Sequence, residues 1–180
     1  MKKQTNYFAI ALLSIGSYLL PISQPALSDT ITKIEIDEDE AIVLVRYVHV
    51  GAFVKRLIFG RAGSSDRFSV IYNKDLQVIK VKAGLYYVRG IDPIYVNVRG
   101  NTYDEPEDVD DLIQINANSV TYIGDWLVKE RKPLRGVDWD IKTSYLGETM
   151  FEARDANPWL MEYPLFMTGS GMPVVPLTWE

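Results

Sequence analysis

The sequence predicts a mainly β protein, an antiparallel β-sandwich followed by a short C-terminal helical segment. Between Ile31 and Tyr145 nearly every apolar segment is short, rich in Val, Ile and Tyr, and alternates with polar residues. This alternation is the period of a half-buried strand. The segments are separated by Gly, Pro, Asn and Asp, which are the residues of tight turns. Many short strands at close spacing favour a sandwich or a barrel over a parallel sheet with helices between its strands.

The individual strands follow from this alternation in chain order. The segments that fit a strand are "ITKIEID", "AIVLVRYVHV", "FVKRLIFG", "RFSVIYN", "LQVIKVKA", "LYYVRGI", "IYVNVRG", "DLIQINA", "VTYIGDWLVKE" and "GVDWDIKT". The turn segments between them include "DEDE", "GRAGSSD", "NKD", "ANS" and "RKPLRG". None of the strand segments has the period of a helix.

Two stretches repeat one pattern: "VIKVKAGLYYVRGI", Val78–Ile91, and "LIQINANSVTYIGDW", Leu112–Trp126. Each has a strand, a tight reversal at Gly or Asn, and a second strand that carries a tyrosine, Tyr87 or Tyr122, soon after the turn. Such a tyrosine can bury its ring while its hydroxyl reaches backbone groups at the sheet edge. The repeat predicts two β-hairpins; the alternative is a shared ligand-binding rim.

The pattern changes after Tyr145. "ETMFEARDANP" predicts a helix, with Thr149 and Glu152 at the spacing of a capping box. "PWLMEY" predicts a short helical turn between Pro158 and Pro164. Two prolines in the tail "MTGSGMPVVPLTWE" exclude a central strand, so the tail is expected either to form an edge segment or to remain loose.

The first residues resemble a secretory signal peptide. A basic start is followed by an apolar run, Tyr7–Leu20, and then by small side chains at Ala26 and Ser28, which predict cleavage between Ser28 and Asp29. The alternative is a membrane anchor, which needs about 20 apolar residues, whereas this run has about 14. The predicted organisation is a signal peptide at 1–28, a sandwich at 29–145 and a C-terminal segment packed on it at 146–180. The mature chain is expected in the periplasm or outside the cell, without a membrane span.

Cysteine usage and charge limit the partners. The chain has no cysteine, so it can form no disulfide and lacks the residue that carries the lipid of a bacterial lipoprotein. The net charge is −5, and loss of residues 1–28 with their two lysines changes it to about −7. This argues against nucleic acid or anionic lipid as a partner. The basic cluster "KERKPLR", Lys129–Arg135, contains Glu130 and is interpreted as a solvated strand end or loop.

The inventory of reactive side chains excludes several catalytic classes. With no cysteine and one histidine, His49, a Cys-His site is impossible and a Ser-His-Asp site would need His49. Alternation places His49 on the face of Val43, Val45 and Tyr47, which favours a half-buried strand histidine. Zinc sites usually need several His or Cys ligands, and no phosphate-binding loop is present. The sequence therefore predicts no catalytic residue and no cofactor.

The segment "DEPEDVDD" contains six carboxylates in eight residues. Four of them are candidate calcium ligands: Asp104, Asp108, Asp110 and Asp111. The spacing and the missing glycine do not match an EF-hand, so the alternative is an acidic solvated loop. A pair of carboxylates is also the minimum for glycoside hydrolysis.

Aromatic side chains on or near the strands are a second set of candidate ligand-binding residues. They are Tyr86, Tyr87, Tyr95, Tyr103, Tyr122, Trp126 and Trp139. Those that point outward would suit a recognition surface, including one for carbohydrate. The alternative is that they pack in the core or on a sheet face.

The segments "VKAGLYYVRGI", "NANSVTYIGDW" and "NPWLMEYPLF" together resemble a family of uncharacterised bacterial envelope proteins, many of them lipoproteins. The likeness runs from about Val78 to Leu165 and includes a "TYIGD" element at Thr121–Asp125. It implies a carboxypeptidase-regulatory or transthyretin-like (Ig-like) antiparallel sandwich without known catalytic residues. The chain departs from the lipoprotein members because it lacks their cysteine.

The sequence therefore favours an exported, non-enzymatic β-sandwich that acts as an interaction or ligand-binding module of the bacterial cell envelope, with an envelope protein or a glycan as partner. The alternative function is a small envelope hydrolase that acts on glycans through paired carboxylates.

Overall fold

The computed structural model describes residues 32–50, 54–93, 102–131 and 138–180. Its strands are β1 (Glu40–Val50), β2 (Val54–Arg61), β3 (Arg67–Ile71), β4 (Asn73–Lys82), β5 (Gly84–Pro93), β6 (Ile113–Ile115), β7 (Val120–Arg131), β8 (Asp138–Ser144), β9 (Leu165–Gly169) and β10 (Met172–Leu177). Its helices are α1 (Gly147–Ala156) and two short 3₁₀ helices, Val109–Asp111 and Pro158–Glu162. No helix among these residues is long and apolar enough to cross a membrane.

The strands form two sheets. The six-stranded sheet has the order β10-β9-β7-β1-β4, and β8 also pairs with β7. The four-stranded sheet has the order β3-β2-β5-β6. The mainly β class is confirmed, and the two sheets are consistent with the predicted sandwich. Two neighbouring pairs, β1–β7 and β7–β9, are parallel, so the sandwich is not purely antiparallel.

The main hydrophobic core lies between the two sheets. β1 contributes Val43, Val45 and Tyr47 to it, as the alternation predicted. Opposite them on β2, the Phe59 ring stacks on Phe68 with 4.8 Å between centroids.

The six-stranded sheet is also covered on its other face, which we call the outer face. Ile42 and Leu44 of β1 pack there with Ala153 of α1 and Leu160 of the second 3₁₀ helix. Because both faces of β1 are covered, residues 40–45 are all buried. The molecule therefore has a third, helical layer over part of the sandwich.

The two predicted hairpins are wrong. β4 pairs with β1 in the six-stranded sheet, whereas β5 pairs with β2 and β6 in the four-stranded sheet. The second repeat behaves in the same way, since β6 and β7 lie in different sheets. Each repeat is thus a corner at which the chain crosses between sheets. Both corners bind the start of β1: Ala83 N donates to Asp39 O over 2.8 Å, and Asn118 N donates to Glu40 O over 2.7 Å.

The tyrosines at the corners make some of the expected hydrogen bonds to backbone groups. In the first corner it is Tyr86, not Tyr87, whose hydroxyl donates to a backbone carbonyl, that of Lys82, over 2.7 Å. In the second, the Tyr122 hydroxyl accepts from Leu146 N over 3.2 Å. The expectation of a tyrosine that bonds to backbone is therefore confirmed for Tyr122 and wrong for Tyr87, whose expected role falls to Tyr86.

Some strand predictions fail or fall outside the described residues. Residues 32–37, most of "ITKIEID", form no strand. "DLIQINA" yields only the three-residue strand β6, preceded by a 3₁₀ turn. The described residues do not include Ser28 and Asp29 of the cleavage site, "IYVNVRG" or most of "KERKPLR", and His49 is described only as a backbone position in β1.

The C-terminal region contains the predicted helix and the short helical turn. The predicted capping box is wrong, because the N-cap of α1 is Leu146 and the Thr149 hydroxyl instead donates to Asp125 Oδ2 over 3.1 Å. The tail forms a β9–β10 hairpin on the six-stranded sheet. β10 is an edge strand and contains Pro173 and Pro176, so the edge alternative is confirmed.

Candidate functional site: the cleft between the two sheets

A cleft of about 460 Å³ opens where β7 and β8 of one sheet face β5 and β6 of the other, next to the acidic segment. We call it the inter-sheet cleft. Its lining consists of Tyr87, Val88, Tyr103, Asp104, Pro106, Asp111, Ile113, Trp126, Ile141, Thr143 and Ser170. Five of the residues singled out by the sequence come together here: two acidic residues and three aromatic ones.

The inner wall of the cleft belongs to the core. Ile113 is 1% exposed and Trp126 is 3% exposed. The indole N–H of Trp126 donates to Ile123 O over 3.0 Å, and its ring meets the Phe59 ring edge to face at 5.0 Å. The inner wall is therefore fixed and apolar, and the indole has no unsatisfied polar group.

The rim of the cleft carries a more exposed aromatic ring. Tyr103 is 36% exposed, yet its backbone is held in place because Tyr103 N donates to Arg89 O over 2.8 Å. The preceding residue, Thr102, forms an isolated bridge with Gly90 of β5. These bonds attach the start of the acidic segment to the four-stranded sheet and hold the ring beside the opening.

The acidic segment is attached at further points by its own polar groups. Glu105 Oε2 accepts from Gly63 N over 3.1 Å, in the β2–β3 turn. Asp108 Oδ1 accepts from Asp110 N over 3.0 Å and so caps the first 3₁₀ helix. These two carboxylates have backbone partners, and of the other four Asp104 and Asp111 line the cleft.

The β9–β10 turn fixes the far end of the acidic segment. Ser170 Oγ donates to Asp111 O over 2.8 Å, and Gly171 N donates to Asp110 O over 3.0 Å. Gly171 has a φ of 69°, which glycine adopts without strain. The C-terminal hairpin therefore positions the carboxylates at the cleft, which the sequence did not predict.

The calcium interpretation gains no geometric support. Within the described parts of the chain, no three histidine or carboxylate side chains come close enough to hold a metal ion. The four candidates Asp104, Asp108, Asp110 and Asp111 are all among the described residues. They are distributed between the inter-sheet cleft, the 3₁₀ cap and a neighbouring hollow beside β10.

Sequence reasoning found only part of this lining. Val88, Ile141, Thr143 and Ser170 were not singled out, because a residue acquires a place in a cleft only when the partner sheet is known. Of the other predicted aromatics, Tyr86 and Tyr122 are buried away from the cleft. Tyr95 lies outside the described residues, and the side chain of Trp139 is not described.

The lining as a whole combines apolar rings with hydroxyl and carboxylate groups. Carboxylates accept hydrogen bonds from hydroxyl groups, and aromatic faces pack against apolar surfaces. A concave site with a few polar groups at an apolar wall is a usual form for a small-ligand site. This chemistry suits a hydroxylated ligand that has an apolar face, such as a sugar ring.

Comparisons with known proteins give no functional assignment. No protein-family model, curated protein or solved structure matches the chain significantly.

Proposed function

We propose that this protein is an exported, non-enzymatic β-sandwich of the bacterial cell envelope that binds a glycan in the inter-sheet cleft. The observation that carries the proposal is the meeting of Tyr87, Tyr103 and Trp126 with Asp104 and Asp111 around one opening. The exposed ring of Tyr103 would cover the apolar face of a sugar, and the carboxylates would accept from its hydroxyl groups.

The envelope location and the family belong to the same proposal. The features that support export are the basic start, the apolar run and the small residues before Asp29. The sandwich is proposed to be of the Ig-like or transthyretin-like type found in the envelope family that the sequence resembles. The two sheets and the two corners that carry the family-like segments support this assignment.

Export can be tested directly. The full-length chain should be expressed in a Gram-negative host, and the protein recovered from the periplasmic fraction should be sequenced from its N-terminus. We expect Asp29 as the first residue. An intact Met1 on membrane-bound protein would contradict the export proposal and leave the cleft proposal to be tested separately.

Glycan binding can be measured by calorimetry on the purified chain, with soluble peptidoglycan fragments and a set of neutral oligosaccharides as probes. We expect saturable binding of at least one probe. Tyr103→Ala and Asp111→Asn should each weaken it by about tenfold, because each removes a contact at the rim of the cleft. Phe151→Ala is the matched control, since Phe151 is a 41% exposed aromatic on α1, away from the cleft.

Two outcomes of the same titrations would contradict the proposal. If no glycan probe binds while an envelope protein is recovered with the tagged chain, the partner is a protein and the glycan assignment is wrong. If Phe151→Ala weakens binding as much as Tyr103→Ala, the ligand does not occupy the inter-sheet cleft.

A second function is favoured by one observation, the presence of two carboxylates, Asp104 and Asp111, in one cleft. A glycoside hydrolase needs such a pair. Both side chains are exposed to solvent, whereas a general acid at neutral pH is usually desolvated, so binding is the better-supported function. Turnover of a reducing-end-labelled oligosaccharide that either Asp104→Asn or Asp111→Asn abolishes would establish the hydrolase instead.

A further inference from the structure

A second cavity, of about 430 Å³, lies under α1 on the outer face of the six-stranded sheet. We call it the helix cavity. Apolar side chains of β4 and α1 form one part of its lining: Leu76, Val78, Ala153 and Ala156. The other part is polar and comprises Arg46, Asp75, Glu152 and Asn157. The inter-sheet cleft is on the opposite side of the sheet, so the two sites are independent.

The guanidinium of Arg46 is only partly used within the protein. Its Nη2 is paired with Glu152 Oε2, and its side chain is 19% exposed. Arg46 Nε is buried and has no hydrogen-bond partner. Buried donors in native proteins are nearly always paired, so this N–H is available for an acceptor that enters the cavity.

Asn157, at the end of α1, carries a hydrogen-bond acceptor that complements this donor. The residue is 2% exposed. Its side-chain Nδ2 donates to Ala153 O over 3.3 Å, which fixes the orientation of the amide. Asn157 Oδ1 is buried without a partner and is therefore available for a donor. Two residues that line the cavity thus carry one unsatisfied donor and one unsatisfied acceptor.

The charges around the cavity indicate what kind of donor the ligand carries. Among the described residues that line the cavity, the charged side chains are Arg46, Asp75 and Glu152. A ligand with only an acceptor group would leave Asn157 Oδ1 unpaired, and a ligand with only a donor group would leave Arg46 Nε unpaired. A molecule with both an anionic acceptor and a cationic donor satisfies both atoms.

We propose that the helix cavity binds a free α-amino acid with an apolar side chain. Its carboxylate accepts from Arg46 Nε, and its ammonium group donates to Asn157 Oδ1 and faces the carboxylates of Asp75 and Glu152. Its side chain packs on the apolar part of the lining, beside Leu76 and Val78. The cavity volume lies within the usual range for small-molecule sites, about 300–1,000 Å³.

Calorimetry with three probes of similar shape tests this assignment: L-leucine, 4-methylpentanoate, which lacks the amine, and 3-methylbutylamine, which lacks the carboxylate. We expect leucine to bind saturably with a Kd of about 1 mM or tighter, and each analogue to bind about tenfold more weakly or less. Absence of saturable leucine binding overturns the proposal. Equal binding of leucine and either analogue also overturns it, because the cavity then does not recognise both charged groups.

Variants locate the binding in the helix cavity. Glu152→Gln should weaken leucine binding by about tenfold, whereas binding of 4-methylpentanoate should not weaken, because Arg46 then loses its competing carboxylate. Arg46→Lys removes the Nε donor and should weaken leucine binding by a similar factor while the folded state is verified by circular dichroism. Arg154→Gln is the matched control on the same helix, where Arg154 pairs with Asp155.

Two further results would place the ligand elsewhere and contradict the proposal. One is an Arg154→Gln variant that weakens leucine binding as much as Glu152→Gln does. The other is a loss of leucine binding in Tyr103→Ala, the variant of the inter-sheet cleft, which should bind leucine as the unmodified chain does.

Discussion

The two faces of the six-stranded sheet are both buried but in different ways. The inner face, against the four-stranded sheet, is covered by apolar and aromatic side chains such as Val43, Val45 and Trp126. The outer face, under α1, buries Asp125 and Thr149 among its apolar residues. Apolar packing is tolerant of exchange, whereas a buried polar group requires a specific partner. The difference indicates that the inner face provides most of the stability and that the outer face fixes the position of the helix.

A β-bulge creates the polar character of the outer face. In the parallel β1–β7 pair, Leu44 is opposite Tyr122 and Arg46 is opposite Asp125, so β7 has one residue more than β1 in this interval. Gly124, with a φ of 94°, lies inside it. Residues three apart on a regular strand face opposite sides, and the extra residue brings Tyr122 and Asp125 to the same side.

The bulge assembles a hydrogen-bond network that holds α1. The Tyr122 hydroxyl donates to Asp125 Oδ1 over 2.9 Å and accepts from Leu146 N, at the N-cap of the helix. The Thr149 hydroxyl donates to the other oxygen of Asp125. Every bond joins β7 either to itself or to the start of the helix, so the network sets where α1 begins on the sheet.

The largest loss of stability is expected for a substitution on the inner face. Phe59 is fully buried between Phe68 and Trp126, and Phe59→Ala should lower the free energy of unfolding by about 3–5 kcal/mol, because it leaves a cavity in the core. Urea unfolding followed by tryptophan fluorescence measures this loss. A loss below about 1 kcal/mol would mean that the inner face does not dominate stability.

The second-largest loss of stability is expected for a substitution in the bulge. Gly124→Ala forces a side chain into a positive φ, and its Cβ would lie 2.4 Å from Thr143 Cγ2. Backbone strain and overpacking together predict a loss of about 2–4 kcal/mol in the free energy of unfolding. Gly171→Ala is the matched control, because Gly171 also has a positive φ but no atom within 4 Å of the added Cβ. Equal losses in the two variants would show that contact with β8 is unimportant.

A pair of tyrosine variants compares hydroxyl groups on the two faces. Tyr122→Phe removes a donor to Asp125 and an acceptor for Leu146 N, and should cost about 1–3 kcal/mol. Tyr47→Phe, on the inner face, removes a longer bond, 3.3 Å, to Val54 O and should cost about 0.5–1.5 kcal/mol. Thermal unfolding of both variants at pH 7 measures the difference. A larger loss of stability in Tyr47→Phe than in Tyr122→Phe would contradict the inferred difference between the two faces.

Alkaline pH provides a second measurement on the same pair. Burial raises the pKa of both Tyr47 and Tyr122 above the usual value for tyrosine, which is about 10. Their stabilising contributions are therefore complete below about pH 10 and are lost as the pH rises towards the folded-state pKa. The stability gap between the unmodified chain and each phenylalanine variant should narrow above about pH 10. A gap that stays constant to the alkaline limit would mean that these hydroxyl groups remain hydrated in the folded protein.

Sequence reasoning recovered the strands better than their arrangement. The alternation in β1 correctly assigned Val43, Val45 and Tyr47 to one face, because side-chain direction is a local property of a strand. The same alternation could not show that Gly84 and Asn118 mark corners between sheets, since a strand has the same pattern in either sheet. Thr149 was assigned to a helix cap because its partner, Asp125, is distant in sequence. The same distance in sequence explains why the acidic and aromatic residues of the inter-sheet cleft could be identified separately, whereas their meeting in one cleft could not be predicted.

The smallest effect is expected at the end of the outer face, where Glu40 begins β1. Its carboxylate accepts from Asp37 N over 2.9 Å and pairs with Lys80 at 3.0 Å. These two partners, the backbone N–H first, lower the pKa of Glu40. Glu40→Gln should therefore lower stability slightly at pH 7, since the Lys80 side chain is 43% exposed and its pairing is screened by salt.

The sign of the pH dependence distinguishes this carboxylate from the buried tyrosines. Because the folded-state pKa of Glu40 is lowered, its contribution is present above the unfolded value, about 4.3, and disappears as the pH falls through the folded-state value. Urea unfolding of the unmodified chain and Glu40→Gln between neutral and acidic pH should show curves that converge below about pH 4. Glu148→Gln, in the first turn of α1, is the control. Curves that stay parallel through this range would show that Glu40 is not stabilised by its backbone and lysine partners, and the outer face would then owe its polar stability to the Asp125 network.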